Sequence, residues 1–148
     1  MKLHEIHNAV LVWGAIGKES ISELKDEQAL VIVVEKRPEC VGIRHNLPLL
    51  QKEGIPAVYC TDTMIGTLLY AQKIKKTYIY TDRDQDDGRE NTYVFLLSRL
   101  HGVPVENRRP GVVAAADPDR DAGSLGGSNF IVDERSKKYI IGSEAVGS

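Results

Sequence analysis

The run Ala29-Leu-Val-Ile-Val-Val-Glu35 constrains the fold of this 148-residue chain more than any other feature. A strand with one wet face alternates polar and apolar residues. A continuous β-branched run too short for a helix belongs to a strand covered on both faces. Such strands sit in parallel sheets, and parallel neighbours need crossover connections, usually helical. The rest of the chain supplies them in turn. Ala9–Trp13, Ala57–Thr61 and Thr77–Thr81 read as further strands. Between them, helical spacing follows "GAIGKES" through Lys25. It returns from Gly42 to Glu53 (Ile43, Leu47, Leu50) and ends at Gly54-Ile-Pro56. Asp62 reads as the cap of a helix through Lys73, and Asn91–His101 forms another (Val94, Leu97, Leu100), stopped by Gly102 and Pro104. A last strand begins near Val103 or lies in Val112–Ala116. Right-handed βαβ crossovers then predict an α/β fold with three layers: a doubly wound, mostly parallel sheet between helices.

Past Arg109 the periodicity weakens into a Gly-, Asp- and Ser-rich stretch. Phe130–Asp133 and Lys138–Ile141 are spaced as a terminal β-hairpin. The expectation is one domain over 1–148, with its core at about 8–116 and a loop plus hairpin over 117–148.

Charge and composition narrow the function. Nineteen Lys and Arg against 21 Asp and Glu give a net charge of −2, and the densest basic clusters, Lys73-Lys75-Lys76 and Arg108-Arg109, are small enough to be solvated helix ends. Direct nucleic-acid binding needs a concentrated basic surface, so it is not expected. The longest apolar runs are far too short to span a bilayer. His4, Glu5 and His7 interrupt the N-terminus where a secretory leader would be apolar. No membrane association is expected, and the location expected is cytoplasmic. Cys40 and Cys60 then read as reduced thiols, each best explained as a small buried hydrophobe.

In a doubly wound sheet ligands bind beyond the carboxyl ends of the strands, so the loops to read are those that follow strands. "TDRDQDDG" puts four aspartates into residues 82–87. Asp82, Asp84 and Asp86 suit the first calcium-loop positions, but Asp87 stands where the turn glycine belongs and Tyr93 where the bidentate acid belongs. A solvated acidic loop, partly neutralised by Arg83 and Arg89, is the competing reading, and no metal is expected. "GAIGKES" meets neither nucleotide fingerprint, because Glu19 follows Gly17-Lys18 where a P-loop needs Ser or Thr. What remains there is an anion-compatible turn at Gly14 and Gly17, or an ordinary strand-to-helix connection. No cofactor is expected. Arg37 and Arg44 bracket "RPECVGIR" on the same rim. Arginine suits bidentate capture of phosphate, although Arg37 could equally pair with Glu35 or Glu39.

Taken in order, "VEKRPECVGIR…LQKEGIPAVYCTDTMIG" and "YTDRDQDDGRENTYVFLLSRLHGVPV" resemble the corresponding stretches of the initiation factor 2B and methylthioribose-1-phosphate isomerase family, which also includes ribose-1,5-bisphosphate isomerases. The resemblance runs from about Val10 to Val105. It implies a Rossmann-like sheet, without the helical domain that usually precedes it. It also implies a phosphorylated small molecule, a sugar phosphate or nucleotide, at the strand carboxyl ends. By the same motifs Arg37 and Arg44 are phosphate-region residues, Asp62 matches the aspartate of the family's "TDxM", Asn91 most nearly matches the asparagine of "NKIGTY", and Asp82 matches the catalytic aspartate. The catalytic cysteine falls on Gly14, so the thiol of the acid–base pair is not retained. Three functions follow: a binding domain for a phosphorylated ligand, an aldose–ketose isomerase with altered catalytic residues, or a regulatory or assembly subunit. A homodimer is the implied partner state.

Overall fold

A computed structural model describes residues 1–81 and 89–113, together with the strand residues 132–133 and 138–139. Five strands form one sheet: β1 (Ala9–Trp13), β2 (Val31–Val34), β3 (Ala57–Cys60), β4 (Ile74–Tyr80) and β5 (Val105–Arg108). Their order is β3-β2-β1-β4-β5, and every pair is parallel. The chain steps outward from β1 to β3, then crosses back to place β4 on the other side of β1. That reversal puts the topological switch point between β1 and β4.

The crossovers carry α1 (Ile21–Asp26), α2 (Leu47–Lys52), α3 (Ile65–Tyr70) and α4 (Arg89–Leu100). Right-handed connections on either side of the reversal place α1 and α2 on one face and α3 and α4 on the other. The side chains of β4 record both coverings. Tyr78 donates its hydroxyl to Glu27, just past α1, at 2.6 Å. Thr77, one residue earlier and therefore on the opposite face, accepts a 3.0 Å bond from Ser98 of α4. The doubly wound, three-layer α/β architecture expected from the sequence is therefore the one observed.

The centre of the β-branched run is buried, with Val31, Ile32, Val33 and Val34 all fully inaccessible. Val10, Leu11 and Val12 of the central strand are equally inaccessible, so the core lies on both sides of β1 and β2. The terminal hairpin is also present, as β6 (Val132–Asp133) paired antiparallel with β7 (Lys138–Tyr139). The last sheet strand is Val105–Arg108; Val112 and Val113 lie outside any strand.

Two local expectations change. Helix α3 stops at Tyr70, and Gln72 turns the chain at φ 59°, so Lys75 and Lys76 belong to β4 and not to a solvated helix end. Their ammonium groups converge on Glu27, at 3.7 and 3.0 Å. Asp62 does not cap its own helix. It opens a short 3-10 turn, Asp62–Met64, and both its carboxylate oxygens reach back to another loop. Two backbone N–H groups left over at the end of β2 are the stronger attraction for that carboxylate.

Candidate functional site

The carboxyl ends of β1, β2, β3 and β5 define a rim of four described loops.

The loop after β1 begins at Gly14, at φ +93°, where a side chain would also run into the carbonyl of Tyr80. Only glycine satisfies both conditions. The loop is then fixed from outside. The amide of Asn46, a fully buried residue, donates to the Gly14 carbonyl at 2.7 Å and accepts the Ile16 N–H at 3.0 Å. His45 bonds the Ile16 carbonyl through Nε2 at 2.7 Å, and the Gly111 N–H donates to the Ala15 carbonyl at 2.8 Å. Gly17 precedes a 3-10 turn, Lys18–Ser20, that leads into α1, and the Glu19 carboxylate folds back beside it. An anion at Gly17 would have to displace that carboxylate.

The loop after β2 carries the cations. Glu35 is buried at the strand end and accepts Arg37 Nε at 2.7 Å, so the first of the two pairings open in the sequence is the one formed. This bond holds the Arg37 guanidinium pKa above its ordinary value. Arg37 nevertheless stays largely exposed, 71% by side chain. Lys36 adopts φ 55° and hangs its ammonium 5.6 Å from the ring centre of Trp13. Asp62 accepts the N–H groups of Lys36 at 2.8 Å and Arg37 at 3.1 Å, clamping the backbone that presents both cations. A π-helical turn, Gly42–Asn46, follows and leads into α2. Gly42 packs so tightly on the Val34 carbonyl that a Cβ would collide with it. The turn points three successive side chains to different tasks. Arg44 is exposed, with no side-chain ion pair or hydrogen bond among the described residues, while His45 and Asn46 hold the first loop.

Across the switch point, Asn91 accepts the indole N–H of Trp13 at 2.6 Å and donates to Thr81 at 2.8 Å. It ties the end of β1 to the end of β4. Asp82 and the acidic stretch to Asp87 lie outside the described residues. Among the described residues, no group of three or more His, Cys, Asp or Glu side chains is placed to hold a metal ion.

The thiols differ in setting. Cys60 is fully buried at the end of β3, and burial pushes its pKa well up. Cys40 is half-buried, and burial, with Glu35 adding to it, raises its thiol too. Neither is disposed to ionise near neutrality.

Of the residues singled out in the sequence, Gly14, Gly17, Arg37, Arg44, Asp62 and Asn91 all fall on or beside this rim. Asp62 and Asn91 spend their polar atoms on protein partners, as positioning residues. Asn46, His45, Lys36 and Trp13 are not singled out by the sequence reading. A polar pair, His45-Asn46, interrupting the apolar face of Ile43, Leu47 and Leu50 was the available signal for the first two.

A Rossmann-like α/β sheet whose strand-end loops carry exposed arginines, Arg37 and Arg44, defines the class. A model of the initiation factor 2 subunit family matches residues 12–89, just over half the chain, and the chain belongs to that family. It is 29% identical over 121 residues to a methylthioribose-1-phosphate isomerase of Thermus thermophilus, covering 78% of this chain and 35% of that one. It is 31% identical over 113 residues to another from Coccidioides posadasii, covering 72% and 27% respectively. The chain thus spans about a third of the relatives it matches. Two solved structures share the fold. Translation initiation factor eIF-2B subunit delta from A. fulgidus superposes with a TM-score of 0.60 at 20% identity, over 81% of this chain and 42% of that one. Translation initiation factor eIF-2B from Pyrococcus horikoshii gives 0.54 at 17%, over 82% and 50%.

Proposed function

We propose that this domain binds a phosphorylated small molecule, a sugar phosphate or nucleotide, at the carboxyl rim. Arg37 and Arg44 meet the phosphate, with backbone N–H groups near Gly14 and Gly17 beside them once the ligand displaces the Glu19 carboxylate. The observation that carries the reading is Arg44. It is an exposed guanidinium without a protein partner among the described residues, on a turn whose next two side chains hold the adjacent loop. Asp82 contacts the ligand's hydroxyls or moves a proton, as the resemblance implies.

Turnover as an aldose–ketose isomerase is the alternative. It would need a group to replace the thiol that the family places at Gly14. Burial raises both cysteines present, which argues against either as the substitute. The regulatory or assembly reading is favoured by the number of rim polar groups already committed, Asp62 and Asn91 foremost. Two copies pairing through the exposed stripe Tyr93, Leu96 and Leu100 of α4 would suit that role. Those residues have the three–four spacing by which helices pack side by side. A cytoplasmic location accords with the two free thiols.

A thermal-shift panel of ribose 5-phosphate, methylthioribose 1-phosphate and purine nucleotides tests the binding. At least one ligand should raise the melting temperature of the wild type and not that of Arg44→Ala. No shift with any of them overturns the reading in favour of an assembly role.

A further inference from the structure

The segment that leaves β5 does not turn away from the sheet. Thr81 N–H donates to the Arg108 carbonyl at 3.0 Å, beyond the end of β4. Three residues later, Gly111 N–H donates to the Ala15 carbonyl at 2.8 Å, in the loop after β1. Residues 108–111 therefore run as a strap from β4 to β1, across the switch point. The approach at its far end is close. A Cβ on Gly111 would overlap the Ile16 carbonyl and lie 2.6 Å from the Gly17 Cα. Any other residue there must lift the strap from the loop.

Between the two anchors stand Arg109 and Pro110. Arg108 is spent on the α1 side of the sheet, where its guanidinium makes two bonds to Glu23, at 2.9 and 2.8 Å, and stacks over Tyr78. Arg109 is exposed, and no hydrogen bond or ion pair joins its guanidinium among the described residues. The strap holds the Arg109 backbone at the crevice where doubly wound sheets receive ligands, and an exposed arginine there suits anion capture. The geometry points to Arg109 as a further anion-binding residue of the rim site, carried there by the Arg108–Gly111 strap. This rests on the phosphorylated-ligand reading and adds a cation on the β1/β4 side, opposite Arg37 and Arg44 on the β2 side. The ligand's charge is met from both flanks of the Gly14–Gly17 loop.

The test is titration calorimetry of the full chain with ribose 5-phosphate, at fixed ionic strength, beside the melting temperature of each variant. Arg109→Gln should weaken binding about tenfold or more, as loss of a charge-assisted contact does, with an unchanged melting temperature. Arg109→Lys should recover part of the loss. Gly111→Ala keeps every charge but should weaken binding too, because the strap must rise. If the wild type binds and Arg109→Gln binds within twofold of it, the assignment of Arg109 is overturned while the rim reading stands. If Arg109→Gln weakens binding but Gly111→Ala does not, delivery by the strap is overturned. If the wild type itself does not bind, both fall together, and Arg44→Ala will show no effect either.

Discussion

Asp62 shows how a residue picked out by motif can serve a site without touching its ligand. Its two oxygens hold the Lys36 and Arg37 amides, where Lys36 sits at a positive φ that needs outside support. Asp62→Ala should cost about 1.5–3 kcal/mol in urea unfolding, the range for hydrogen bonds to a charged group. Asp62→Asn, which can keep one of the two as acceptor, should cost less, and equal losses would contradict the clamp. Gly14→Ala combines a positive φ with a collision against the Tyr80 carbonyl, and should cost at least about 1–3 kcal/mol. Glu27 contributes to the acid side of the stability profile. Burial alone would raise its pKa, but the Tyr78 hydroxyl, Lys76 and Lys75 outweigh it and hold the carboxyl below its ordinary 4.5. A folded pKa below the unfolded one gives stability that is present above 4.5 and is lost as pH falls through the folded value. Glu27→Gln should therefore lower the urea midpoint at neutral pH and flatten its fall in acid, and parallel curves would contradict this. Tyr78 works in reverse. Burial first, then its bond to Glu27, raises the phenol, so its contribution is complete below the ordinary phenol range and fades as pH rises through it.

At the scale of elements, the strands were the legible part. Ala9–Trp13 is both the sequence reading and the observed strand, because a run with no polar residue has nowhere to go but the middle of a sheet. Ala29–Glu35 narrows to Val31–Val34, since Ala29 and Leu30 are only partly covered and Glu35 turns its carboxylate to Arg37. The π-helical turn at Gly42–Asn46 was not legible. An extra residue per turn leaves no mark in apolar spacing, and what fixes it is the packing of Gly42 on the Val34 carbonyl at the end of β2. The same turn explains why Asn46 was missed. Its two bonds run to Gly14 and Ile16, and the polar break at His45-Asn46 marks a buried polar group without naming partners 30 and 32 residues away. The α4 stripe leads to a further expectation. If two copies meet there, Leu96→Lys should shift the wild type from dimer to monomer in analytical ultracentrifugation, with little change in melting temperature. A wild type that sediments as a monomer throughout would contradict the pairing.

For the molecule as a whole, the sheet and the rim have different origins. Continuous burial of β1 and β2 imposes the parallel order, and that order alone creates a switch point. The chain belongs to the initiation factor 2 subunit family, and its strand-end loops form the rim at that switch point. The proposed site sets Arg37 and Arg44 on that rim with the Gly14 loop, Arg37 paired with Glu35 and Arg44 without a side-chain partner among the described residues. The direct measurement is calorimetric titration of the intact chain with ribose 5-phosphate, with unphosphorylated ribose as the control. The account predicts saturable binding of ribose 5-phosphate, none of ribose, and a loss of about tenfold or more in Arg44→Ala, as for removal of a charge-assisted contact. Equal binding of the two sugars, or an Arg44→Ala protein that binds as the wild type does, would contradict it.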